Sequence, residues 1–175
     1  MTREQTRLER YRSKQKLARS LRCAIATVEF KLDANVGMIV RSAACFGANA
    51  VHVIGHVPDR ATLRGLSGST SDFVEIVQYH NPYDFLHKNA GSKIISLELR
   101  DNSVSLFDYE FDLGADTIIV AGHEEAGVPE GIMLESAAVV HIPMPGLGFC
   151  LNTAMTAHIA LYEYTKQALR GQARL

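Results

Sequence analysis

The sequence predicts an α/β protein built on a mostly parallel sheet with helices on both faces. Three observations carry that reading. Short apolar runs alternate with helical segments along most of the 175 residues. The runs are near-continuously apolar, as in "DTIIVAG" (116–122), which is how strands covered on both faces read. No linker and no internal repeat interrupts the alternation, so residues 1–175 are expected to form a single domain.

The elements follow in order. Residues 3–19 read as a basic helix, and 1–20 as a basic N-terminal extension. "RCAIATV" (22–28) is β-rich. "NVGMIVRSAACFG" (35–47) reads as a helix, with Asn35 expected at its N-cap and Gly47 as its stop. "AVHVIG" (50–55) and "FVEIVQY" (73–79) are strands. "NPYDFLHKN" (81–89) opens a helix, because Asn-Pro is a good start signal. "KIISLEL" (93–99) and 116–122 are strands, and "VPEGIMLES" (128–136) is a short helix with Pro129 near its first turn. "AVVHIP" (138–143) is the last strand and 151–169 the last helix. Parallel sheets bind ligands beyond the carboxyl ends of their strands. The loops after Val28, Leu99, Gly122 and Pro143 are therefore the ones to search.

Composition narrows the class. Apolar residues make up 47% and charged residues 21%, an ordinary globular balance. No stretch is long and apolar enough to span a bilayer, and the charged N-terminus does not read as a secretory signal. Cys23, Cys45 and Cys150 have no CxxC spacing, which argues against a zinc site or a disulfide framework and for a reducing, cytoplasmic setting. The formal charge of −1 hides an asymmetry. Residues 1–22 hold 8 Lys/Arg against 2 Glu, a net of +6, while the remainder holds 10 basic and 17 acidic residues, a net of −7. A basic arm on an acidic body fits nucleic-acid contact, and equally a solvated amphipathic helix.

Three stretches concentrate chemistry. In 35–47 one full charge, Arg41, sits among apolar residues and needs a partner or an exit to water. In "VAGHEEAGVPEG" (120–131) a strand ends in glycine before two carboxylates, which would also simply favour a helix N-terminus. In "IPMPGLGFCLNTAMTAHIALYEY" (142–164) a proline- and glycine-shaped loop leads to Cys150 and then Asn152, which is expected to open the last helix.

Taken together, in this order, the stretches resemble the TrmH/SpoU family of RNA ribose 2′-O-methyltransferases within the SPOUT superfamily. The family's first motif reads here Asn35, Gly37, Arg41, Phe46, Gly47. Its second reads Gly122, His123, Glu124, Gly127. Its third reads Ile142, Pro143, Met144, Leu151, Asn152, and then Leu161, Tyr162, Glu163. One position departs: Cys150 stands where the family usually has serine.

The resemblance implies a deep C-terminal trefoil knot whose loops bind S-adenosyl-L-methionine in a bent form, and a homodimer with its active site at the subunit boundary. It implies methyl transfer to a ribose 2′-hydroxyl of tRNA or rRNA, without a metal. By analogy the catalytic set is Arg41, Asn35, Glu124, Asn152 and Cys150, and the cofactor contacts are Leu97, Gly122, Ile142 and Leu151. The family casts Arg41 as a general base. A guanidinium resists deprotonation, so the expected role is to grip the neighbouring phosphate and stabilise the developing alkoxide. Asn35 is expected to support Arg41 or the ribose, and Glu124 to orient Arg41 or Asn152. The 2′-hydroxyl makes RNA, not DNA, the substrate. Lys166, Arg170 and Arg174 are expected to help the N-terminal helix grip phosphates.

Other classes fit less well. "GLGFCL" imitates a dinucleotide fingerprint but lacks the third glycine and the strand that should follow. The thiol at Cys150, a weaker hydrogen-bonding group than a hydroxyl, leaves a weakened or inactive knotted protein that binds RNA or cofactor as the alternative. No histidine neighbours Cys150 to activate it as a nucleophile. His52 and His56 have i,i+4 spacing but read as ordinary exposed histidines at a strand end.

Overall fold

The computed structural model describes residues 16–18, 20–148 and 150–170. Of the basic helix expected over 3–19, residues 16–18 are helical and the rest lies outside the described residues.

The chain runs β1 (Cys23–Val28), α1 (Asp33–Phe46), β2 (Ala50–Ile54), α2 (Arg60–Leu66), a 3₁₀ turn (Thr70–Phe73) and β3 (Glu75–Tyr79). It continues through α3 (Pro82–Lys88), β4 (Lys93–Leu97), β5 (Val104–Ser105), β6 (Thr117–Ala121), α4 (Glu130–Leu134), β7 (Ala138–His141) and α5 (Thr153–Ala168). The strands form one seven-stranded sheet in the order β3-β2-β1-β6-β4-β7-β5, parallel throughout. From β1 the chain adds β2 and β3 on one side, crosses to place β4 and the edge strand β5 on the other, and then inserts β6 between β1 and β4 and β7 between β4 and β5.

The strand period of two sends alternate residues to opposite faces. Cys23 and Ile25 enter one buried cluster with Val36, Ile39 and Val40 of α1 and with Ala157 and Leu161 of α5. Ala24, Ala26 and Val28 enter a second cluster with Phe85 of α3 and Ile132 of α4. Each fully buried Ile or Leu contributes about 1.5–3 kcal/mol relative to exposure, which is why the strands are apolar without alternation.

Helix boundaries have local causes. Gly47 ends α1 with φ +77, a left-handed stop that glycine supplies at no steric cost. Asn81 caps α3 by accepting from Asp84 N at 2.9 Å, with Pro82 in the first turn. Asn152 caps α5, its Oδ1 accepting from Ala154 N and Met155 N at 2.9 and 3.2 Å.

Three sequence readings change. Asn35 is not the N-cap of α1. The helix begins three residues earlier, with Leu32 at the cap position and no local side-chain cap. The run 73–79 is a strand only from Glu75, because Phe73 closes the 3₁₀ turn and is exposed. His52 is buried, and its Nδ1 lies 2.8 Å from the Tyr79 hydroxyl. Burial lowers its pKa to about 4, so it is a neutral core histidine. His56 is exposed, as expected, 3.7 Å from Asp33. Among the described residues no helix is long and apolar enough to cross a membrane.

Candidate active site

At the carboxyl ends of β4, β6 and β7 lies a cavity of about 400 Å³. Three of the four loops singled out from the sequence line it, those after β4, β6 and β7. The loop after β1 takes part from behind, through Glu124.

Glu124 is the hub. Its carboxylate accepts from Lys31 N at 2.9 Å, Leu32 N at 3.2 Å and Asn35 Nδ2 at 2.7 Å. From 92–93 residues away in sequence it thereby holds the two backbone N–H groups that lead into α1, at the cap position and the residue before it. Burial acts to raise the Glu124 pKa, but these hydrogen bonds outweigh it and hold the carboxyl below its ordinary value. Asn35, 1% exposed, passes the connection on: its Oδ1 accepts from Asn152 Nδ2 at 3.1 Å. Asn152 in turn caps α5. A continuous chain of hydrogen bonds thus ties the α1 start, the loop after β6 and the α5 start into one rigid wall.

Two glycines shape the loop after β6. A Cβ at Gly122 would overlap the backbone of Gly127 and Val128. His123 and Gly127 exchange two backbone hydrogen bonds at 3.0 and 2.9 Å, with Gly127 at φ +70. Thr153 Oγ1 donates to Gly122 O at 2.8 Å and fixes α5 against the same loop. Glu98 Oε2 accepts from Val128 N at 2.9 Å from below.

Seven of the nine residues singled out from the sequence line the cavity: Glu124, Asn152, Cys150, Leu97, Gly122, Ile142 and Leu151. Asn35 stands directly behind Glu124 and Asn152. It bonds those two rather than Arg41. Glu124 likewise orients Asn35 and not Arg41. Arg41 does not line the cavity; it is exposed, beside Gly68 at the end of α2. Sequence reasoning missed Glu98 and Thr153. A carboxylate at the carboxyl end of a parallel strand was the available signal for Glu98; Thr153 offered none, since its partner is a distant carbonyl. Lys166 is paired with Glu163 at 2.8 Å, and Arg174 lies outside the described residues.

The family model of the SpoU rRNA methylases matches residues 22–162. The chain belongs to that family. It is 29% identical over 145 residues to the 23S rRNA (uridine(2479)-2′-O)-methyltransferase of Streptomyces viridochromogenes, covering 79% of this chain and 50% of the relative. It is 26% identical over 135 residues to the tRNA (guanosine(18)-2′-O)-methyltransferase of Escherichia coli K12, covering 76% of this chain and 58% of the relative. This SpoU-family chain therefore spans only about half the length of these two relatives. The crystal structure of the SpoU methyltransferase AviRb from Streptomyces viridochromogenes in complex with the cofactor AdoMet superposes with a TM-score of 0.72 and 26% identity, over 85% of this chain and 61% of AviRb.

Proposed function

We propose that this chain transfers the methyl group of S-adenosyl-L-methionine to a ribose 2′-hydroxyl of tRNA or rRNA. The observation that carries the reading is the Glu124–Asn35–Asn152 wall of the cavity, formed by three family motifs far apart in sequence. Two relatives named as RNA ribose 2′-O-methyltransferases, and AviRb in complex with AdoMet, support it.

The cavity suits the cofactor. Its volume lies in the range of ~300–1,000 Å³ usual for small-molecule sites. Leu97, Ile142 and Leu151 offer apolar wall, and Gly122 offers backbone without a side chain. When bound, the sulfonium supplies an activated methyl group for in-line displacement. The protein's task is to hold the attacking oxygen in line, which can contribute ~7 kcal/mol or more in well-aligned cases. Asn152 and Glu124 order the cavity rim. Arg41 grips the phosphate next to the target ribose bidentately and stabilises charge growing on the 2′-oxygen. Cys150, exposed at the cavity, stands where the family usually has serine and contributes a weaker polar contact.

A trefoil knot formed by the C-terminal segment and a homodimer belong to the same proposal. Met155, Ile159 and Tyr162 form an exposed stripe on α5, with Tyr162 edge-on to Phe46 at 6.0 Å. A second copy covering this stripe gives the exposed apolar face a partner. Because Arg41 lies outside the cavity of its own chain, a site completed across subunits accommodates it. The three cysteines, one buried and two exposed without a disulfide, fit a cytoplasmic protein. Nucleoside mass spectrometry of total RNA from a strain lacking this gene tests the proposal. One 2′-O-methylated nucleoside is expected to be lost; an unchanged nucleoside profile would overturn the reading.

A further inference from the structure

We infer that the segment from Leu66 to Thr70, at the end of α2, positions Arg41, and that Gly68 is the surface on which its guanidinium rests. This builds on the reading of Arg41 as the phosphate-gripping group. Gly37 and Arg41 are four residues apart on α1, so they share one helical face. That face meets the end of α2. A Cβ at Gly37 would overlap the Leu66 side chain, so the bare glycine is what lets the two segments approach. One helical turn further on, a Cβ at Gly68 would stand 3.3 Å from Arg41 Nη1 and 3.5 Å from its Cζ. The guanidinium therefore lies close against the bare glycine, where a Cβ would crowd Nη1 and make it shift by a few tenths of an ångström.

The platform is stiff. Gly68 and Ser69 are consecutive left-handed residues, at φ +63 and +65. Ser67 is fully buried and accepts from Ser71 N at 3.3 Å and, through its carbonyl, from Thr70 Oγ1 at 2.8 Å. Ser69 N donates to Arg64 O at 2.8 Å. The nearby carboxylate of Asp72 is engaged by Arg64 at 3.2 Å and Arg60 at 3.7 Å. No carboxylate among the described residues forms an ion pair with Arg41 at 4.0 Å or less. Among the described residues, then, Arg41 rests on one side against Gly68 and meets no neutralising carboxylate. A carboxylate partner would hold it equally well but would compete with an incoming phosphate. A neutral backbone platform holds the fork and leaves its charge for the RNA.

The test compares Gly68→Ala with Gly65→Ala, since a Cβ at Gly65 meets nothing within 4 Å. Each is made in the parental protein and in Arg41→Ala. Single-turnover methyl transfer is followed from labelled S-adenosylmethionine to total RNA of the deletion strain. Gly68→Ala is expected to slow transfer by ~10- to 100-fold in the parental protein, as displacement of a positioned group does. It is expected to add less than ~2-fold in Arg41→Ala, with cofactor affinity unchanged, while Gly65→Ala is neutral in both. An equal loss in both backgrounds, or parental turnover in Gly68→Ala, overturns the inference. If the parental protein methylates no RNA, the functional reading fails instead. The positional claim is then read from the Arg41 Nε–H resonance in ¹⁵N-labelled protein: Gly68→Ala is expected to shift it and Gly65→Ala to leave it. An unshifted resonance in Gly68→Ala overturns the inference independently of activity.

Discussion

Replacing Asn35 by aspartate changes one NH₂ into one oxygen at the centre of the site. In the parental protein that NH₂ donates to Glu124 Oε1 across 2.7 Å. Asn35→Asp removes a hydrogen bond to a charged acceptor, about 1.5–3 kcal/mol. It also sets two carboxylates side by side, where repulsion between unit charges ~4 Å apart is about 4 kcal/mol at an effective dielectric of 20. The pair relieves part of this by retaining a proton, so its folded-state pKa rises above the unfolded value near ~4. The sign follows. Below that unfolded pKa both states hold the proton and the repulsive penalty vanishes; it grows as pH rises through the folded value. Asn35→Asp should therefore be less stable than the parental protein by about 5–7 kcal/mol at pH 8, and by clearly less at pH 5. Asn35→Ala, which leaves Asn152 Nδ2 without its acceptor, should lose about 2–4 kcal/mol with no comparable rise across this range. Urea unfolding followed by circular dichroism at the two pH values measures both. An Asn35→Asp protein within about 0.5 kcal/mol of parental at pH 8 would refute the wall as the organising element.

Other outcomes follow from the same geometry. Gly122→Ala forces a Cβ into the Gly127–Val128 backbone and should abolish detectable S-adenosylmethionine binding by calorimetry while the sheet remains folded by circular dichroism. Arg41→Lys keeps the charge and loses the planar fork, so single-turnover methyl transfer should fall by at least ~10-fold with cofactor affinity intact. His52, held neutral by burial with a pKa near 4, resists a proton that the unfolded chain accepts near ~6.5. Its contribution is whole above the unfolded value and is lost as pH falls toward the folded one, at most about 3 kcal/mol, so thermal stability should drop across that window and His52→Gln should flatten the drop.

Much of this was legible in the sequence because its causes are local. Gly47 terminates α1 by its own conformation, Asn81 and Asn152 cap their helices within three residues, and Ile118 to Ala121 announce a central strand by lacking polar residues. What was not legible depends on distant partners. The start of α1 was misplaced because Leu32 at its cap position carries no capping side chain, and the residues leading into the helix are held by Glu124 from another loop. Helix α2 was missed because Leu63 is its one buried residue, leaving little apolar period to read. Strand β5 is two residues long. The cavity lining was recoverable because family motifs coincide with strand ends. The placement of Arg41 beside Gly68 was not, since the close approach of α1 to the end of α2 at Gly37 and Gly68 joins segments far apart in sequence.

The most direct measurement incubates purified protein with methyl-labelled S-adenosylmethionine and total RNA from the deletion strain, then digests the RNA to nucleosides. The expected result is label in a single 2′-O-methylated nucleoside. Label on a base, or no label in any RNA, would contradict transfer to a ribose hydroxyl.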